Sequence, residues 1–258
     1  MNHKIPLPQK PKIIKKGENR AIFEIDGCYS GYGLTLGNAF RRVLLSSLPG
    51  AAIVAVKIKG VSHEFSTIPY MMEDIIHIIL NLKQIRFKIN APEALPLKAS
   101  LKISGEKEVK AKDIDLSSEL EIINKDAHIA TLTDKKAKLE MEIEIQSGLG
   151  YVPVEQRKKE KLEIGAIAID AIFSPIRKIN YEVENMRVGE RTDFNRLRID
   201  IETDGSITPE EAFSKAADIL VGHFQVFAIP EKIPVEEKKK KVVKKPKAKK
   251  ETKKKTKK

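Results

Sequence analysis

GYGLTLGNAFRRVLLSSLPG, residues 31–50, runs from a glycine-punctuated loop into a short amphipathic helix and stops at Pro49-Gly50. Glycines ahead of a helix often cradle a phosphate, because backbone N–H groups and the positive dipole end converge there. The spacing here, Gly31, Gly33 and Gly37 with no Lys-Ser or Lys-Thr behind it, fits neither the dinucleotide fingerprint nor the P-loop. The glycines are read instead as backbone geometry for a tight turn into the helix. With Thr35 as N-cap, Leu36, Ala39, Phe40, Val43, Leu44 and Ser47 recur at helical spacing and form one core stripe. The opposite face carries Asn38, Arg41, Arg42 and Leu45. Guanidinium donors around an apolar anchor are the composition of a protein-docking hot spot, and also of an ordinary solvated face with one stray leucine.

Outward from this helix the pattern alternates between strand and helix. Ahead of it, Ile13-Ile14 and Ala21-Phe23-Ile25, alternating with Glu24 and Asp26, read as paired strands. Behind it, Val54, Val56 and Ile58 share one face of a strand. A helix is then expected from about Pro69 to Lys83, with Met72, Ile75, Ile76, Ile79 and Leu82 as its buried stripe, Pro69 in its first turn and Lys83 in its last.

Residues 85–145 are strongly period two. Leu97, Ala99, Leu101 and Ile103 alternate with Lys98, Ser100 and Lys102, and Leu139, Met141, Ile143 and Ile145 alternate with Glu140, Glu142 and Glu144. One wet face and one core face is antiparallel-sheet behaviour. A loop at 147–161, a continuously apolar run at 164–173 and strands around 179–183 and 197–201 follow. The last ordered element is a helix. Thr208 and Glu211 make a capping box, Pro209 sits at the first helical position, and an Asp204-Gly205 turn precedes it. Its face of Ala212, Phe213, Ala216, Ile219, Leu220, Phe224 and Phe227 is wide enough to need a large covering surface, either its own sheet or a symmetric copy.

At 258 residues and 41% hydrophobic, the chain can hold one large or two modest cores. No apolar run approaches the roughly 18 residues a membrane span needs, and no secretory signal opens the sequence. The single cysteine, Cys28, excludes an intrachain disulfide and a cysteine-rich zinc site, and makes a reducing cytoplasm the expected home. The net charge of +12 is localised: residues 238–258 hold 14 lysines and one acid, Glu251, so residues 1–237 are close to neutral. The basic signal therefore belongs to a tail without apolar periodicity, read as disordered.

No catalytic or metal constellation is visible. His3, His63, His77, His128 and His223 are scattered, and His63-Glu64 lacks the second histidine of a zincin. There is no Ser-His-Asp order, nucleophile elbow or Asp-x-Asp cluster. The expectation is a scaffold with no metal site of its own. A free basic nucleic-acid-associated structural protein is the alternative, and it explains the tail but not a neutral body of two domains.

The opening run resembles the alpha subunit family of bacterial and plastid DNA-directed RNA polymerase, whose hallmark is G-x-G-x-T-L-G-N-x-x-R-R-x-L-L-S-S. GVSHEFSTIP at 60–69, EDIIHIILNLK at 73–83, GLGYVP at 148–153 and the run from Asn180 to Ala212 look like the same family in the same order. The resemblance spans about residues 12–229. It implies an α+β fold in which a discontinuous dimerisation domain, residues 1–50 and 172–230, is interrupted by a mostly antiparallel β insert domain, residues 51–171. The Lys-rich tail occupies residues 231–258.

The resemblance also implies partners. Two chains would dimerise through Phe40, Leu44, Phe213, Leu220, Phe224 and Phe227. The pair would form a platform for the β and β′ subunits, with omega and sigma joining in the holoenzyme. Arg42 and Leu45 match positions that hold β, with Arg41 and Asn38 beside them; Lys83 and Ile169 match positions on the β′ side. Catalysis and its Mg2+ would sit in β′, leaving this chain without a cofactor. Departures are Leu34, where many relatives carry His, and the absence after residue 230 of anything like the family's helical C-terminal domain. Two readings of the tail stand side by side: a solubilising disordered segment, and a sequence-independent DNA tether through Lys244, Lys245, Lys249, Lys250, Lys253 and Lys254, with no aromatic residue there for base stacking.

Overall fold

The computed structural model describes residues 5–90, 96–157 and 163–228. Their order builds one four-stranded sheet from the two ends of the chain and a larger sheet from its middle. Strands β1 (Lys12–Lys15), β2 (Arg20–Cys28), β13 (Ile176–Val188) and β14 (Arg191–Thr203) pair antiparallel in the order β1-β2-β14-β13. Strict alternation sends Ala21, Phe23 and Ile25 of β2 and Leu197, Ile199 and Ile201 of β14 to one face. Helices α1 (Tyr32–Ser46) and α3 (Pro209–Phe227) close that face. At its centre the Phe213 ring lies between Phe23 and Phe40, with centroids 4.4 and 4.6 Å away and planes within 6° of parallel. The other face is a ladder of ion pairs. Arg198 bridges Glu24 and Glu184, and Asp26, almost wholly buried, accepts from Arg196 Nε (2.7 Å) and Lys12 Nζ (2.9 Å). These bonds, the one from Arg196 first, hold the Asp26 carboxyl below its ordinary value.

The middle of the chain forms a second core. Strand β3 (Pro49–Ile58) pairs with β9 (Lys138–Leu149), which pairs with β5 (Leu97–Ser104); on its other edge β3 meets β4 (Phe87–Ile89) and β11 (Ala166–Ala168), and β4 pairs with β7 (Leu120–Ile122). Two small ladders complete it: β6 (Lys107–Lys110) with β8 (His128–Leu132), and β10 (Tyr151–Val152) with β12 (Ala171–Ile172). Helix α2 (Ile75–Leu82) covers this core. The chain is α+β with predominantly antiparallel sheets.

The structure revises several local expectations. Helix α1 begins at Tyr32, three residues before Thr35, and its cap is Gly31 in the left-handed region at φ +83°. The cause is tertiary: the Gly31 N–H donates to Asn195 Oδ1 (3.0 Å) on β14. Gly33 and Gly37 are packing residues rather than turn residues. A Cβ at 33 would lie 2.8 Å from both Asn195 Cβ and Val183 Cγ1, and one at 37 would lie 2.5 Å from the Tyr181 ring.

Helix α2 is shorter than expected. Asp74 caps it, accepting the His77 N–H at 2.7 Å, because the preceding residues are committed elsewhere. Met71 bridges to Leu132, and the Glu73 carboxylate takes the Thr131 N–H and hydroxyl. The buried stripe is therefore Ile75, Ile78 and Leu82, while Met72 and Ile76 are exposed. In β3 a bulge between Ile53 and Ala55 splits the expected face, so Val56 and Ile58 join the main core and Val54 joins a smaller one with Ala52, Ala171 and Phe173.

Candidate functional site

The outer face of α1 emerges as its wheel requires. Leu36, Phe40, Val43 and Leu44 pack into the sheet, which turns Asn38, Arg41, Arg42 and Leu45 to solvent. Leu45 is 40% exposed, and Leu34, three turns earlier on the same side, is also exposed. Among the described residues neither Arg41 nor Arg42 has a carboxylate within salt-bridge distance. The sheet arginines differ: Arg20, Arg191, Arg196 and Arg198 each hold an acid. Two free guanidiniums beside an exposed leucine can grip a carboxylate-bearing, partly apolar surface.

Helix α3 is covered over only part of its length. Its capping box is formed, with the Glu211 N–H donating to Thr208 Oγ1 (3.2 Å) and Glu211 accepting from the Thr208 N–H (3.4 Å). Ala212 and Ala216 are buried and Phe213 is held in the aromatic stack. Beyond Leu220, which is half-buried, every described residue (221–228) is exposed, and Val221, Phe224, Val226 and Phe227 keep 54, 64, 82 and 79% of their surface. This narrows the expected dimerisation set. Leu44 at 0% exposure and Phe40 at 9% have their surface inside their own chain, and Phe213 stacks within it. Leu220, Phe224 and Phe227 retain surface for a partner.

Lys83 and Ile169, far apart in sequence, meet at one groove. Its volume is about 590 Å3, and Phe65, Ile76, Leu80, Lys83, Val154 and the 166–170 segment line it. Lys83, the C-cap of α2, donates to Asp170 Oδ2 (3.2 Å), while the Val154 N–H donates to Asp170 Oδ1 (3.1 Å). The Val154 bond first, and then Lys83, hold the Asp170 carboxyl below its ordinary value. Ile169 itself is only 2% exposed, so the structure gives it a core position beneath the groove rather than surface to offer a partner. Its carbonyl accepts from the Arg157 guanidinium, which also reaches the Val54 carbonyl.

Sequence reasoning passed over Asp170, Phe65, Ile76 and Leu80 as site residues. Lys83 and Asp170 belong to different elements, so no local spacing flags the pair; the exposed Ile76 and Leu80 follow once Asp74 is taken as the cap of α2. The tether residues Lys244, Lys245, Lys249, Lys250, Lys253 and Lys254 lie outside the described residues. Among the described residues no group of three or more His, Cys, Asp or Glu stands close enough to hold a metal ion, and no helix is long and apolar enough to cross a membrane.

Comparison with known proteins gives one answer. Residues 56–174 match the family model described as the RNA polymerase Rpb3/RpoA insert domain. The DNA-directed RNA polymerase subunit alpha of Symbiobacterium thermophilum is 47% identical over 223 residues, 85% of this chain and 70% of that protein. The subunit of the same name from Porphyromonas gingivalis is 46% identical over 230 residues, 89% of this chain and 69% of that one. That of Roseiflexus castenholzii is 49% identical over 224 residues, 87% and 68% respectively.

Proposed function

The chain belongs to the alpha subunit family of DNA-directed RNA polymerase, and from that premise we propose that it is the assembly platform of the enzyme. Two copies pair through the exposed end of α3, and the pair carries the β and β′ subunits, with omega and sigma joining the complex. The single observation that carries the homodimer is the run of exposed apolar side chains from Val221 to Phe227 on a helix whose first half is already packed. A helix end of that composition in water is stabilised by covering it, and an isologous pair covers both copies with one contact.

The outer face of α1, with Leu45, Arg41, Arg42 and Asn38, holds β. The groove beside Lys83 and Asp170 receives β′, with Ile169 as the floor that positions the groove. A symmetric dimer presents each face twice, and the first large subunit to bind breaks the symmetry. Phosphodiester chemistry and its Mg2+ belong to β′, and this chain contributes no catalytic group. The lysine-rich end adds sequence-independent phosphate contacts to DNA, supported by the concentration of 14 lysines in residues 238–258. The complex works in the cytoplasm, at the nucleoid.

The deciding experiment co-expresses the full chain with the β subunit and compares wild type with Arg42→Ala and Leu45→Ala. Both side chains are exposed, so folding and dimerisation persist while β capture weakens by at least about 2 kcal/mol. Full retention of β by both variants refutes the α1 assignment. Sedimentation that finds only monomer at micromolar concentration refutes the platform.

A further inference from the structure

The β9–β10 turn, Leu149-Gly150-Tyr151, stands directly against the C-terminal end of α1. Leu149 is the register partner of Pro49, three residues past the end of α1. A Cβ built on Gly150 would meet the Ser46 carbonyl at 3.4 Å, so the turn touches the helix at the residue after Leu45. Gly150 sits at φ +62°, and its carbonyl accepts two N–H groups, from Phe173 (2.8 Å) and Ser174 (3.1 Å). Tyr151 is held by pairing with Ile172. The turn is thus fixed by backbone bonds on both sides. Leu149 and Tyr151 nevertheless keep 54 and 57% of their surface exposed, more than Leu45 does.

Leu149 and Tyr151 thus stand exposed on a fixed turn, and the Tyr151 side chain is further held by a hydrogen bond to Asp170. A partner that covers them loses little conformational entropy, because the surface is already in its bound shape. The neighbouring charge narrows the partner further, since Arg41 and Arg42 have no acid of their own among the described residues.

We propose that Leu149 and Tyr151 are the second half of the α1 docking face, so that the partner gripping Arg42 and Leu45 also lays an apolar segment, flanked by carboxylates, across the β9–β10 turn. This rests on the reading that α1 holds the β subunit. The occupant is that same chain, because the turn abuts the end of the helix that carries Leu45 and the two acid-free arginines. The turn also ties the contact to the insert half of the molecule, so docking on α1 engages both cores of one protomer.

The test co-expresses the full chain with β in three forms: Leu149→Gln/Tyr151→Ser, Arg42→Ala, and Tyr151→Phe. Homodimer content by sedimentation and the melting temperature are read in parallel, and Leu149→Gln alone serves if the double variant melts early. The expected result is β capture weakened about tenfold or more by the double variant, with the homodimer unchanged, and near-normal capture by Tyr151→Phe. If Arg42→Ala weakens capture while the double variant and Leu149→Gln do not, this inference is overturned and the α1 reading stands. If none of the variants loses β, the α1 reading falls and takes the inference with it.

Discussion

Phe224→Ser separates the proposed dimer contact from the fold of the protomer. The ring keeps 64% of its surface exposed in the protomer, on the order of 130 Å2 for a phenylalanine. Covering that area is worth about 3 kcal/mol per protomer. In an isologous dimer every substitution occurs on both sides, so the ceiling doubles to about 6 kcal/mol. Serine keeps the backbone buried and contact is never complete; taking half of the ceiling leaves about 3 kcal/mol, a shift of about 150-fold in the dimer dissociation constant. The protomer loses almost nothing, because Phe224 lies outside its core cluster. Sedimentation equilibrium across a concentration series measures the shift, and far-ultraviolet circular dichroism checks that α3 persists. A dissociation constant within about threefold of wild type refutes the reasoning, because 130 Å2 of covered ring cannot be removed twice without a trace.

Four further outcomes follow from the geometry. Phe213→Ala removes the middle ring of the aromatic stack and is expected to destabilise the protomer by about 3–4 kcal/mol, read by denaturant unfolding at fixed protomer concentration; a loss below about 1 kcal/mol would mean the stack is not holding α3. Gly33→Ala gains at most about 1 kcal/mol of helix propensity but drives a methyl into Asn195 and Val183, so the melting temperature falls; a rise would show that β13 and β14 yield. Asp26 has a folded-state pKa below its ordinary 3.8, so its stabilisation is complete above about pH 4 and is lost as pH falls through the depressed value. The stability difference between wild type and Asp26→Asn should shrink over that acid range, and a difference that does not vary with pH would remove the ion pair as its cause. Truncation after Pro234 should lower affinity for duplex DNA and flatten its dependence on salt, measured by anisotropy at several ionic strengths; an unchanged slope ends the tether.

What could be read in the sequence depended on how far the cause lay from the residue. The α3 capping box is legible because Thr208, Pro209 and Glu211 act on one another within a single turn. The core stripe of α1 is legible because its period is a property of the helix. The start of α2 is not. Pro69 is a sound local signal, yet Glu73 is tied to Thr131 and His128, more than fifty residues away, which holds the chain out of helix until Asp74. Gly33 and Gly37 announced a constraint whose source, the side chains of β13 and β14, lies some 150 residues downstream. Phe40 and Leu44 show a further limit: periodicity marks a side chain as covered without saying whether its own chain or a copy does the covering. Lys83 and Ile169 are paired in the sequence only through the family resemblance; the packing puts both at one groove and reveals that Asp170, one residue on, carries the polar contact.

The junction between the two cores bears on all the proposed docking faces. Both crossings of the chain pass Phe173, and two glycines make room for it while a third anchors it by a backbone bond. A Cβ at Gly50 would collide with the Phe173 carbonyl, one at Gly148 would lie 2.5 Å from its ring, and Gly150 accepts its N–H. Phe173 is buried against Ala52, Val54, Ala55 and Ala171, a small core on the far side of β3 from the main one. Interiors packed this closely transmit displacement rather than absorb it. Helix α1 abuts the junction through Ser46 and Gly150, and the Lys83 groove abuts it through the 166–170 segment that leads into Ala171. The α1 face and the groove are therefore held to a common frame, which a platform needs if it is to present two large partners at fixed relative positions.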